Sequence, residues 1–183
     1  LYALQVTADG NYVLAGNSNS ESGNDKKSSN KSGTDFWVVK IDKETKEILW
    51  QETYDIAKTD ILTSLVENDD HTLLLGGYAQ GEPAPAKKAP VKKPATLKKS
   101  KSQQEEPKMK KGTDDYVAIK IDAKGEELWR KEVGSDGQDI LIKAVETRDG
   151  GYLLAGTSKV ILTEDGGIKA TGNKSTGMGS NDF

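Results

Sequence analysis

The chain contains an internal repeat, and that repeat limits its fold more than any other feature. DFWVVKIDKETKEILWQETYDIAKTDILTSLVENDDHTLLLGG, from Asp35 to Gly77, returns as DYVAIKIDAKGEELWRKEVGSDGQDILIKAVETRDGGYLLAG from Asp115 to Gly156. One residue is lost in the turn between Asp42 and Trp50 on going to Asp122 and Trp129. A partial copy opens the chain, ADGNYVLAG from Ala8 to Gly16, and NDF from Asn181 to Phe183 begins another. A unit that recurs at such a period is one supersecondary module, which buries its apolar side against its neighbours.

Each unit reads as strands. Phe36 to Ile41 (FWVVKI) and Tyr116 to Ile121 (YVAIKI) are β-branched and aromatic runs closed by an Asp at a polar turn. Ile48 to Tyr54 and Glu127 to Val133 follow, each holding one Trp, then Ile61 to Glu67 and Ile140 to Glu146, and an Asp/Gly turn leads into LLLGG or YLLAG. No segment shows a helical period. The class is all-β, and four antiparallel strands repeated in tandem are the sequence form of a β-propeller blade. Trp50 and Trp129 are then the large inter-blade packing residues, and Ala155 and Gly156 let a neighbouring sheet come close. A β-sandwich with a duplicated hairpin explains the strands but not the repetition of all four.

The pattern D-[FY]-x-x-x-K-I-D, E-x-L-W, D-I-L, D-G-G-Y-L-L-A-G-T-S resembles the propeller repeats of large surface and secreted proteins of gliding bacteria, which use type IX secretion. It is also similar to the I-D-x-x-G-x-x-x-W element of quinoprotein-type blades and to the Y-x-x-G-G strand of kelch blades. The resemblance implies that Ile61 to Glu67 and Ile140 to Glu146 are innermost strands, with the Trp strand outermost. It implies blade one over 1–54 (insertion 17–34), blade two over 61–133 (insertion 80–114) and an incomplete blade three over 140–183 (insertion 157–180). Propellers close with four to eight blades. The remaining blades are expected from the same parent chain or from a partner chain, and the broken repeats and absent initiator Met predict a piece of a longer or processed polypeptide.

Antiparallel order sends the short Asp/Gly turns to one face and the long insertions to the other, where binding usually resides. Residues 17–34 are rich in Ser, Asn, Gly and Lys, which predicts mobility. Val160 to Leu162 gives the last insertion one short apolar patch, suited to a small hairpin with Gly166 and Gly167 at its tip. Residues 83–111 hold ten lysines, two glutamates and all five prolines, a local excess of eight positive charges that leaves the rest at −11 out of a net −3. This segment reads as an extended disordered arm. Lys87, Lys88, Lys92, Lys93, Lys98, Lys99 and Lys101 are its polyanion-contact candidates. The alternative is a solvated linker, and without interleaved aromatics nucleic acid is disfavoured.

The same face offers Asp55, Lys58 and Asp60 in one loop and Asp136, Gln138 and Asp139 in another. Neither loop has EF-hand spacing, and the plainer reading is Asp satisfying turn amides. Lys40 and Lys120 recur among apolar strand residues and read as inter-blade structural residues, whose buried charge requires a paired ion or a snorkelling ammonium. His71, the single histidine, stands in a tight turn where the other copy has Gly150. With no Cys and no second His, neither a zinc site of the usual kind nor a Ser-His-Asp arrangement is available, and no phosphate or dinucleotide fingerprint occurs. No cofactor is expected, and no apolar run reaches the ~18 residues of a membrane-spanning helix. These features predict a non-enzymatic binding or scaffold module, extracellular or at a bacterial cell surface, with a protein or glycan ligand at its long-loop face. The competing reading is a fragment of a propeller enzyme, quinoprotein-like or glycan-active, with its catalytic residues elsewhere. Lack of Cys suits a cytosolic setting as well.

Overall fold

The computed structural model describes residues 1–30, 33–81, 114–135, 137–159, 161–162, 168–169 and 181–182. These form strands and no helix. The first sheet has the order β1 (Ala3–Val6), β2 (Tyr12–Ser18), β3 (Asp35–Ile41), β4 (Ile48–Tyr54). The second repeats it with β5 (Thr59–Glu67), β6 (Leu73–Gln80), β7 (Asp115–Ile121) and β8 (Glu127–Val133). In the third, β9 (Asp139–Glu146) pairs with β10 (Tyr152–Lys159), and β10 with β13 (Asn181–Asp182); β11 (Ile161–Leu162) and β12 (Ile168–Lys169) make a separate hairpin. All these pairings are antiparallel. The all-β class and the antiparallel four-stranded sheets expected from the sequence are therefore present.

The ladders copy one another down to their irregularities. Thr63 in β5 and Ile142 in β9 are each skipped by the pairing, and so are Leu49 in β4 and Leu128 in β8. Each is a bulge that adds twist and turns one extra side chain toward a face. Strands β5 and β9 begin earlier than the apolar pattern suggests, at Thr59 and Asp139. Parallel bridges from Thr34 to Thr59 and from Asp114 to Gln138 hold these strand starts against the preceding sheet.

The sheets stack face to face. Val13, Ala15, Phe36 and Val38 of the first meet Leu62, Leu65, Leu73 and Leu75 of the second in one apolar layer, with Trp50 packed at its side. Leu74 and Ala118 of the second meet Ala144 of the third, flanked by Val66, Trp129, Tyr152 and Leu154. The middle sheet is thus covered on both faces. That explains the unbroken apolar run LLLGG in β6, whereas YLLAG in β10 alternates between half-buried and exposed.

Candidate binding face

Insertions leave from a single end of the stack. They follow Ser18, Gln80 and Lys159, where β2, β6 and β10 finish, beside the β4–β5 and β8–β9 connections. Among the described residues, the opposite end has only tight turns. Gly10, His71 and Gly150 occupy the same place in three of these, with φ of 82°, 62° and 78°. His71 is therefore an exposed residue in the left-handed conformation a turn requires.

Each sheet is latched to the next at both ends. At the tight-turn end, the backbone N–H of Ala8 donates to both carboxylate oxygens of Glu67 at 3.0 and 2.9 Å, and that of Asp69 to Glu146 at 2.8 Å. At the insertion end, Asp60 N–H donates to Thr34 O at 2.7 Å and Asp139 N–H to Asp114 O at 2.8 Å. The indole N–H of Trp50 donates to Ala123 O at 2.9 Å, and the buried Tyr54 hydroxyl donates to Gly125 O at 2.7 Å. Both acceptors lie in the β7–β8 turn. Its Gly125 has φ of 85°, and a Cβ there would meet the Trp50 ring at 2.9 Å.

The loop candidates divide on inspection. Asp60 is buried and accepts from Ile56 N–H at 2.7 Å and Ala57 N–H at 3.0 Å. Asp139 plays the same part, accepting from Ser135 N–H at 2.6 Å and from the Ser135 hydroxyl at 2.9 Å. These two shape the links between sheets. Gln138 bridges to Asp114, while Lys58 is exposed. Asp136 and the seven candidate lysines from Lys87 to Lys101 lie outside the described residues.

Asp55 joins Asp60 and Asp35 in a cluster whose nearest carboxylate oxygens all lie within 4.8 Å of one another. Burial, and the nearby charges of Asp35 and Asp55, push the Asp60 carboxyl up to about 7 against the pull of its two amide donors. At one ligand atom each, the three carboxylates fall short of the six to eight oxygens calcium takes, and both oxygens of Asp60 are already engaged by backbone N–H groups. The cluster is not a repeated feature. Gly134 stands where Asp55 stands, and a Cβ there would collide with the Asp115 carboxylate.

The structure names the partners of the two strand lysines. Lys40 donates to Asp9 at 2.7 Å and Lys120 to Asp70 at 2.9 Å, each Asp coming from the tight turn of the same sheet. These bonds, with the Thr7 and Thr72 hydroxyls, hold both carboxyls below the usual range; for Asp9 the lysine is the larger cause, for Asp70 the threonine. The lysines thus brace a turn within their own sheet. The pairing was open to detection because Asp and Lys recur together in both copies.

The described part of the first insertion makes polar contacts with β4. Lys27 N–H donates to the Gln51 side chain at 3.0 Å, Gln51 donates to Asp25 O at 2.7 Å, and the Ser28 and Thr53 hydroxyls are bonded. Lys26 is buried and donates to Ser20 O. A segment poor in apolar residues is pinned here by hydrogen bonds to polar side chains of β4. The hairpin expected in the last insertion is present as β11 and β12. No helix among the described residues is long and apolar enough to cross a membrane.

No known protein-family model and no curated protein matches this chain.

Proposed function

We propose that the three sheets are blades of a β-propeller-type module, non-enzymatic, belonging to a bacterial surface or secreted protein, whose insertion-bearing end takes a protein or glycan ligand. One observation carries this reading. Every long connection leaves from the same end of a rigid stack, while the other end closes with short turns tied down by Asp9, Asp70 and the Glu67 and Glu146 latches. A rigid scaffold carrying variable loops at one end places recognition there. The lysine-rich segment adds attraction for an acidic partner, a contribution that weakens with salt.

The test uses the full chain against immobilised heparin and a panel of neutral glycans, at low and physiological salt. Binding to at least one probe is expected. Replacing residues 19–30 or 82–113 with a short Gly/Ser linker abolishes it, and replacing the Asp42–Glu47 turn with the shorter Asp122–Glu126 sequence leaves it intact. Failure to bind every probe sinks the proposal, as does binding that survives removal of both insertions.

A further inference from the structure

The outer faces of the first and third sheets expose apolar side chains, and the repeat identifies them as the two halves of a contact the chain already makes twice. On the outer face of the third sheet Ile142 and Leu153 are 58% and 59% exposed, with Val145 beside them. Their counterparts one unit earlier are Thr63, Leu74 and Val66. Thr63 donates to Leu141 O at 2.9 Å, and Leu74 and Val66 lie in the layer between the second and third sheets. On the outer face of the first sheet Leu4 is 59% and Val6 54% exposed. The register places Leu4 opposite Leu14, as Leu65 lies opposite Leu75 in the layer between the first and second sheets. One free face repeats the giving side of an existing interface and the other repeats its receiving side.

We infer that the chain associates with a second copy of itself head to tail, the Ile142/Val145/Leu153 face of one copy seating on the Leu4/Val6 face of the next. Such a contact is heterologous: two different patches meet, and each copy has one of each. It continues the internal stacking by the same ladder positions. Two substitutions weaken it relative to the internal contacts. Lys143 replaces Ser64, whose hydroxyl donates to Ala144 O at 3.3 Å and accepts from Ala144 N–H at 3.1 Å. Val6 replaces Glu67, the residue that accepts the N–H of Ala8. The contact between copies is therefore a reversible one, resting on apolar burial. It goes beyond the ligand-binding proposal and does not depend on what the loop end recognises.

Sedimentation velocity of the full chain over a concentration series reads the association, and mixing two face variants reads its polarity. Leu153→Lys and Leu4→Lys each change an exposed position; each variant alone is expected to remain a single copy, with Leu153→Ser and Leu4→Ser as milder second variants. Mixing Leu153→Lys with Leu4→Lys restores a one-to-one complex, because one intact giving face meets one intact receiving face. Val6→Glu supplies the missing latch to the Arg148 N–H of the neighbouring copy and tightens association about tenfold. A wild-type chain that stays single at every concentration overturns the inference. So does a Leu4→Lys variant that associates as well as wild type, since that shows a symmetric contact between Leu153 faces. Glycan binding by the loop end is read separately, so either proposal can fail alone.

Discussion

Lys40 shows what a single buried charge demands. Its side chain is 9% exposed, and its ammonium ends on an Asp9 carboxylate that stands half in solvent. Removing the acceptor leaves the cation without its counter-charge, which costs more than the pair contributes while intact. Asp9→Asn should destabilise the chain by about 1–2 kcal/mol, moderated because water reaches that side, whereas Lys40→Met should be close to neutral. Urea unfolding of the two variants decides it, and equal losses would refute the asymmetry. Asp60 gives the opposite titration. With its folded pKa raised from the ordinary 3.8 to about 7, the native state binds a proton that the unfolded chain has released. Stability from this group therefore falls as pH rises from about 4 through 7. Asp9 and Asp70, held low, contribute stability that is present above their ordinary range and lost as pH falls toward their folded values. Asp60→Asn should lose ground to wild type near pH 5 and recover it near pH 8. A difference in unfolding midpoint that is the same at both pH values would show that Asp60 does not titrate in this window.

At the scale of strands, the glycines inside β6 and β10 have a cause visible only in three dimensions. Gly77 has no space for a side chain: a Cβ would run into the Ile61 carbonyl of its own sheet and meet Phe36 Cζ of the first sheet at 2.7 Å. Gly156 repeats this against Ile140 and the Tyr116 hydroxyl. Gly77→Ala should therefore cost about 3 kcal/mol or more, while Gly23→Ala, with nothing within 4 Å, should be nearly neutral; thermal unfolding of both variants compares them. From the sequence, the small pair was legible as a place of close approach, as were the strands, the turns and the residue types at the sheet interfaces. The bulges at Thr63 and Ile142 were not, since a skipped residue leaves no mark on composition. The capture of loop amides by Asp60 and Asp139 was legible as the plainer reading of their turns, whereas their burial was not, since it depends on the chain reversing between sheets. Asp35 and Asp55 stand twenty positions apart in the chain; the β3–β4 register, which pairs Phe36 with Tyr54, sets them side by side, and the parallel bridge of Thr34 with Thr59 adds Asp60. The two lysine partners lay within reach of a register argument that aligned Asp9 with Asp70.

For the molecule as a whole, position in the stack decides how much each unit is supported. Neighbour-only contacts make stability a sum of unit and interface contributions, as in other repeat architectures. The second sheet has an apolar layer on each face, whereas the third has one covered face and exposes Ile142 and Leu153 on the other. Opening should therefore begin in the third sheet and reach the second last. Amide hydrogen exchange checks this strand by strand, with the slowest protons expected in β6 and faster exchange in β9 and β10; the reverse order would contradict the stacking argument. Substitutions at equivalent ladder positions test the same point by another route. Leu74→Ala empties part of the layer between the second and third sheets and should cost about 2–4 kcal/mol. Leu153→Ala, one repeat later and exposed, should change the unfolding free energy of the single copy by less than about 0.5 kcal/mol. Equal losses at the two positions would mean that the outer face of the third sheet is already covered within one chain, leaving no free face for a second copy to occupy.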